Sequence, residues 1–197
     1  MNAHDLLWGM TPAHVPADAP AWVLEALGAG QPVVVRRAIA QPGLVAVGVR
    51  GRLREQRFAA QMPLALVRRR VTPQALREVT SPRDLPALQA LAQLRPLLAQ
   101  KDWGVSGSAG FELATGIEAL HDASDLDLIL RTPEPLERRD AGDLLAILDT
   151  AVCAVDLQLQ TPFGAVALRE WAGSSRRVLL KTASGAHLVI DPWQALI

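Results

Sequence analysis

Hydrophobic and polar residues alternate most regularly in the second half of the chain. In "SDLDLILR", residues 124–131, Asp125 and Asp127 alternate with leucines. This pattern predicts a half-buried β-strand with both carboxylates on one face. The stretch "VDLQLQ", residues 155–160, alternates in the same way and predicts another strand, which carries Asp156. The pattern therefore favours three carboxylates side by side on neighbouring strands.

The segments around these two strands have the longer period of helices. We predict helices in "FELATGIEAL", "PLERRDAGDLLAILDTA" and "GAVALREWAG", and closing strands in "RRVLLKT" and "AHLVIDPW". Strands that alternate with helices are typical of an α/β arrangement in which helices cover a sheet.

The first part of the chain is richer in short strands and loops. "QPVVVRRAI" and "LVAVGVRGRLREQRFAA" predict strands, and "APAWVLEALGAG" predicts a short helix. In "SPRDLPALQALAQLRPLLAQ", Ser81 and Pro82 indicate a helix N-cap followed by proline at the first helical position. We expect an α/β (α+β) fold with two lobes: a smaller strand-rich N-terminal lobe (1–80), a helical bridge (81–100) and a C-terminal mixed sheet flanked by helices (101–197).

Composition narrows the classes of protein. The 20 basic and 20 acidic residues cancel, which argues against bulk electrostatic binding to nucleic acid or to a membrane surface. A single cysteine, Cys153, excludes an internal disulfide framework and a cysteine zinc cluster. The sequence contains no pattern of a signal peptide or a membrane span, so we expect a cytoplasmic protein.

Two aspartates side by side on a strand repel each other, and a cation would offset that cost. Three carboxylates on adjacent strands suit Mg²⁺, which can stabilise the attacking and leaving oxygens of a phosphoryl displacement. The Gly107-Ser108 turn precedes a predicted helix and is a natural phosphate-binding position. The alternatives are a solvated strand face for the aspartates and a simple hydroxyl turn for Ser108.

A Gly-Ser turn, an Asp-x-Asp strand and a further strand aspartate together resemble the nucleotidyltransferase superfold. The block "WGVSGSAGFELATGIEALHDASDLDLIL", with "HDLLWG", "VGVRGRLREQR" and "DPW", is similar to the phosphoribosyl-dephospho-CoA transferases of malonate decarboxylase. The resemblance covers nearly the whole chain. Asp125 and Asp127 match the motif directly, whereas Asp156 is carried over as a strand aspartate whose role, metal ligand or base, stays open.

The resemblance implies a specific reaction. A serine hydroxyl of the malonate decarboxylase acyl carrier subunit would attack the α-phosphorus of triphosphoribosyl-dephospho-CoA, and pyrophosphate would leave, with Mg²⁺ bound at Asp125, Asp127 and Asp156. Two alternatives stay open. The same fold could act on another acceptor (a nucleotide, a small molecule or another protein), or the chain could be a non-catalytic binding module.

The implied substrate is rich in phosphate, which gives the basic residues a possible role. Among the arginines clustered on predicted adjacent strands, which include Arg37 and Arg54, we expect substrate binding by Arg36, Arg50, Arg52 and Arg57. Their alternative is a solvated face. Lys181 could also reach a phosphate, or it could be an ordinary edge-strand lysine. The run Arg68–Arg70 predicts an exposed edge or a carrier-protein patch.

Overall fold

The computed structural model describes residues 1–53 and 55–195. The chain forms two compact units, Met1–Thr72 and Pro73–Ile197. The sequence-based boundary lay at residue 80, followed by a bridging helix. In the structure the division falls eight residues earlier, and the helix predicted as a bridge belongs to the second unit.

The first unit is built on a five-stranded antiparallel sheet in the order β4-β3-β2-β1-β5. Its strands are β1 (Leu6–Trp8), β2 (Val33–Val35), β3 (Leu44–Arg50), β4 (Arg57–Pro63) and β5 (Arg69–Val71). Helix α1 (Ala21–Gly28) packs against β3 and buries Val23, Ala26 and Leu27. Burial of these apolar side chains with the inward-facing valines of the sheet forms the core of this unit.

Strands β1 and β5 are short, and the sequence pattern did not predict them. Asp5, which precedes β1, is fully buried, and its carboxylate accepts 2.8 Å hydrogen bonds from the Arg70 guanidinium and from the backbone N–H of Asn2. Arg69 lies over the Trp8 ring, 4.4 Å from its centroid. The basic run therefore lies on an edge strand, as expected, and two of its arginines contact residues of the same unit.

The second unit is built on a six-stranded sheet in the order β11-β10-β9-β8-β7-β6, in which only β7 and β8 are parallel. Its strands are β6 (Trp103–Val105), β7 (Leu126–Arg131), β8 (Val155–Thr161), β9 (Gly164–Ala167), β10 (Val178–Lys181) and β11 (Ala186–Val189). Its helices are α2 (Pro86–Leu98), α3 (Gly107–Thr115), α4 (Arg138–Leu148) and α5 (Leu168–Ala172). The predicted mixed α/β fold with two lobes is confirmed.

Parallel strands need a long crossover, and α4 provides it between β7 and β8. Helices α4 and α5 pack together, and Arg138 lies over the Trp171 ring, 4.2 Å from its centroid. The Trp171 indole donates to the Leu136 carbonyl at 2.8 Å. These contacts fix α5 beside the strands that follow the crossover.

Helices α2 and α3 have different ends in the structure from those predicted. Helix α2 begins at Pro86 rather than after Ser81, because Leu85 is held extended before the proline and Ser81 accepts a local hydrogen bond from the Arg83 N–H instead. Helix α3 begins at Gly107 and ends at Thr115, because the next residue, Gly116, has a φ of 73°. The Gly-Ser pair therefore forms the first turn of the helix rather than a loop before it.

The segment predicted as one helix in "GAVALREWAG" contains a strand and a short helix. Ala165 and Val166 are buried in β9, which forms a hairpin with β8. The Thr161 hydroxyl accepts hydrogen bonds from the Phe163 and Gly164 N–H groups at 3.3 and 3.1 Å and so closes the hairpin. Among the described residues, no helix is both long and apolar enough to span a membrane.

Candidate active site

The parallel pairing of β7 and β8 places Asp127 directly opposite Asp156. Neighbouring strands lie about 4.8 Å apart, so two side chains in register on one face are close neighbours. Asp125 precedes Asp127 by two residues, immediately before β7 begins, and lines the same cleft as Asp156. Asp125 and Asp156 are exposed, and Asp127 is half-buried. Asp127 and Asp156 thus lie side by side, and Asp125 lies at the same end of the sheet.

The turn between β6 and α3 lies against Asp127. The Ser106 N–H donates to the Asp127 carbonyl at 2.9 Å, which extends the β6–β7 pairing by one residue. Gly107 has a φ of 60°, and a Cβ there would overlap the Asp127 carboxylate and lie 2.7 Å from its Cβ. Only glycine allows this approach. Because α3 begins here, its N-terminus, which includes Ser108, favours negative charge from Asp127 or from a substrate phosphate.

An open cleft of about 520 Å³ lies beside the aspartates. Its lining residues lie just before β7, at the start of β8, at the end of β9 and on α5: Asp125, Ala154, Val155, Asp156, Ala167, Arg169 and Glu170. The Glu170 carboxylate accepts a 2.7 Å hydrogen bond from the Leu179 N–H and so joins α5 to β10. The small side chains of the lining leave room for a ligand between the acidic residues and Arg169.

Arg169 is a cleft residue that the sequence pattern did not indicate. Its guanidinium donates to Asp149 at 2.6 and 3.5 Å. The hydrogen bond to Asp149 raises the pKa of Arg169, and the charges of Asp149 and Asp156 act in the same direction. No motif marks this arginine, because its place depends on the β8–β9 hairpin that the sequence pattern did not show.

Cys153 lies at the start of β8, next to the cleft. Burial raises the pKa of its thiol, and the negative charge of Asp125 raises it further. The thiol is therefore protonated at neutral pH and is a poor nucleophile.

The loop from residue 116 to residue 125, which leads into β7, is held in place by hydrogen bonds to Glu112 of α3. This buried carboxylate accepts hydrogen bonds from the Ala119 and Leu120 N–H groups at 2.7 and 2.9 Å and from the Arg83 guanidinium at 2.8 Å. Burial alone would raise the pKa of Glu112, but these backbone hydrogen bonds and Arg83 together lower it. The sequence pattern did not indicate this ion pair, whose partners are 29 residues apart.

The donor chemistry of the aspartates suits a hard divalent cation, although no ready-made cage is present. Among residues 1–53 and 55–195, no three His, Cys, Asp or Glu side chains form a metal-binding group. Mg²⁺ is usually held by one or two carboxylates together with water and substrate phosphates. Asp127 and Asp156, opposite each other in register, fit that arrangement. That Asp125 is a third protein ligand of the metal stays a prediction.

The predicted arginines belong to the first unit. In the first unit, Arg50 pairs with Arg57 where β3 and β4 meet, and exposed Arg52 is in the turn that follows. The Arg57 guanidinium donates to the Leu53 and Gln56 carbonyls at 3.4 and 3.0 Å. Exposed Arg36 follows β2 and extends over Gly48 of β3. Arg54 lies outside the described residues.

Lys181 is in the second unit but not at the aspartates. It pairs with Ala165 of β9, which pairs with Gln160 of β8. Asp156 is four residues from Gln160 along β8, at the opposite end of the strand. The structure therefore does not bring Lys181 together with the carboxylates.

The second unit is thus an α/β domain with an open cleft whose lining includes three acidic residues. Comparison with known families gives the particular family. Residues 2–73 match the family model of the phosphoribosyl-dephospho-CoA transferase MdcG N-terminal domain, and residues 74–192 match that of the MdcG C-terminal domain. This chain belongs to the phosphoribosyl-dephospho-CoA transferase family, and the resemblance drawn from its sequence is confirmed at that level.

Curated relatives agree over nearly the full length. A phosphoribosyl-dephospho-CoA transferase of Pseudomonas fluorescens (strain Pf0-1) is 64% identical over 193 residues, which cover 97% of this chain and 94% of the relative. One from Pseudomonas putida (strain W619) is 59% identical over 196 residues, covering 98% and 95%. One from Azotobacter vinelandii is 56% identical over 198 residues, covering 97% and 93%. No solved structure matches the chain.

Proposed function

We propose that this protein transfers the 2′-(5″-phosphoribosyl)-3′-dephospho-CoA group from its triphosphoribosyl precursor to a serine of the malonate decarboxylase acyl carrier subunit, in the cytoplasm, with release of pyrophosphate. The family match across both units supports a transferase that handles dephospho-CoA. The observation that carries the proposal is the register of Asp127 and Asp156 beside Gly107 and an open cleft.

The carboxylates have two tasks in this reaction. Asp127 and Asp156 hold Mg²⁺, which supplies charge neutralisation of the polyphosphate when it is bound. An exposed carboxylate of the cleft, Asp125 or Asp156, accepts the proton that the serine hydroxyl loses. The serine oxygen forms a bond to the α-phosphorus while the bond from that phosphorus to pyrophosphate breaks, so the product is a phosphodiester.

The N-terminus of α3 has a separate role in binding. Its backbone N–H groups attract a phosphate without adding a side chain to the crowded approach at Asp127. Glu112 and Arg83 fix the loop before Asp125 and so keep that carboxylate in place beside the cleft. A pre-organised site of this kind loses little free energy to rearrangement during the reaction.

Intact-mass spectrometry of the purified carrier subunit tests the proposal. After incubation with this protein, MgCl₂ and the triphosphoribosyl precursor, we expect the carrier mass to rise by one phosphoribosyl-dephospho-CoA group. A carrier whose acceptor serine is changed to alanine is the matched control and should keep its mass. An unmodified wild-type carrier, or equal modification of the serine variant, would contradict the proposed acceptor.

A further inference from the structure

The cleft beside the aspartates has an uneven distribution of charge. Asp125, Asp156 and Glu170 line it, and among the lining residues Arg169 is the only cation. A cleft with carboxylates alone repels an anionic ligand, so the position of this one guanidinium determines where a phosphate can bind.

The Arg169 side chain is held by Asp149, which does not line the cleft. Asp149, which caps the C-terminal end of α4, accepts hydrogen bonds from both terminal nitrogens of the guanidinium. These two bonds use two of the five N–H donors of an arginine, and within residues 1–53 and 55–195 the other three remain available to a ligand. The side chain of Arg169 is 62% exposed, so a ligand in the cleft can reach it.

We propose that Arg169 is the polyphosphate-binding residue of this cleft and that Asp149 holds its guanidinium in place. The proposal rests on the proposed function, from which it takes the class of ligand: the phosphates of the triphosphoribosyl precursor that leave as pyrophosphate. A guanidinium presents paired N–H donors that match two phosphate oxygens, which an ammonium cannot do. Because Asp149 fixes the side chain, little rotamer entropy is lost on binding.

A cation in the cleft also helps the leaving group to depart. Arg169, on α5, lines the same cleft as Asp125, the residue that precedes β7. Charge accumulates on the leaving phosphates as their bond to the α-phosphorus breaks, and a fixed cation stabilises that charge. Arg169 is thus a binding residue whose contribution grows as the pyrophosphate separates.

Titration calorimetry with inorganic tripolyphosphate and MgCl₂ tests the proposal on the full chain. We expect Arg169→Gln to weaken tripolyphosphate binding at least tenfold and Arg169→Lys to restore only part of it. Arg139→Gln removes an exposed arginine of α4 that does not line the cleft, and it should bind like wild type. Thermal unfolding of each variant verifies that the fold is intact.

The outcomes separate this proposal from the proposed function. If Arg169→Gln binds tripolyphosphate as tightly as wild type does, or if wild type does not bind it, the role of Arg169 is wrong whatever the carrier assay shows. If binding depends on Arg169 but the carrier is not modified, the phosphate site stands and the proposed acceptor fails. An equal loss in Arg139→Gln would show that only overall charge matters and would also overturn the proposal.

Discussion

The second unit contains two acidic regions that use the same chemical group in opposite environments. Glu112 is 5% exposed and accepts hydrogen bonds from two backbone N–H groups and an arginine. Asp125 and Asp156 are exposed and line an open cleft. The first environment stabilises a charge permanently, whereas the second leaves oxygen atoms accessible to a cation or a proton.

This difference separates a structural carboxylate from a reactive one. A buried charge is tolerated only when its partners are fixed, so removing one partner of a buried pair destabilises the fold. Exposed carboxylates add little to stability, so their removal should affect chemistry instead. Substitutions in the two regions should therefore give opposite results in assays of stability and of transfer.

The largest expected effect is the loss of transfer when Asp127 or Asp156, which pair in register on β7 and β8, is substituted. We expect Asp127→Asn and Asp156→Asn each to lower the rate of carrier modification by about 10²-fold or more, the scale of a lost catalytic group. The unfolding temperature should change little, because asparagine keeps the shape of the side chain. The rate is measured by intact mass and the stability by thermal unfolding. Transfer near the wild-type rate in either variant would contradict the site.

The next effect is on stability at Glu112. We expect Glu112→Gln to lower the free energy of unfolding by about 3 kcal/mol, the lower end for a broken buried ion pair because Arg83 is partly exposed. Glu118→Gln is the matched control, since Glu118 is exposed on the loop that Glu112 fixes. Chemical denaturation measures both variants. Equal stability of the two would show that the ion pair does not support the loop.

The lowered pKa of Glu112 predicts that the stability of the protein depends on pH. The pKa of Glu112 is lowered in the folded protein from an ordinary value of 4.5, so the unfolded chain takes up a proton first on acidification. Its stabilising contribution is complete above that value and is lost as the pH falls toward the lowered pKa. Below pH 4.5 the stability of wild type should fall more steeply than that of Glu112→Gln. Parallel curves would contradict the lowered pKa.

A smaller effect is expected from substituting Gly107, where the first turn of α3 approaches β7 closely. Gly107→Ala places a methyl group against the Asp127 carboxylate at a positive φ, so it should cost about 1–2 kcal/mol of stability and reduce transfer as Asp127 shifts. Gly142→Ala is the matched control, because a Cβ there meets no atom within 4 Å and alanine favours the helix. Unchanged transfer by Gly107→Ala would show that Asp127 need not be held by this turn.

The smallest expected effect is the change in kinetics when the arginines of the first unit are substituted. Arg50→Ala or Arg52→Ala should raise the KM for the precursor or the carrier a few-fold with little change in kcat, because uniform binding is lost. The defect relative to wild type should shrink as salt is raised, since screening weakens the charge contact that wild type makes. Steady-state kinetics at two salt concentrations measure both effects. A loss confined to kcat, without dependence on salt, would place these arginines in the chemical step or in the fold.

The sequence pattern predicted the elements that carry strong alternation, and with them the three aspartates. It did not predict β1 and β5, which are three residues long and, unlike β2, contain no run of β-branched residues. It also joined β9 and α5 into one helix, because alanine and valine fit either structure. Arg169 and Glu112 escaped prediction for a related reason: their roles depend on partners brought close by strand order and by a loop, neither of which is encoded in local spacing.

The dependence of transfer on divalent cation tests the central claim most directly. Carrier modification is followed by intact mass with the protein in EDTA, then after MgCl₂ is added in excess, for wild type and for Asp127→Asn. We predict no modification by wild type in EDTA, full recovery on addition of MgCl₂, and no recovery by Asp127→Asn at any MgCl₂ concentration. Modification at the full rate in EDTA, or recovery of Asp127→Asn to the wild-type rate, would contradict a metal held by the aspartates of β7 and β8.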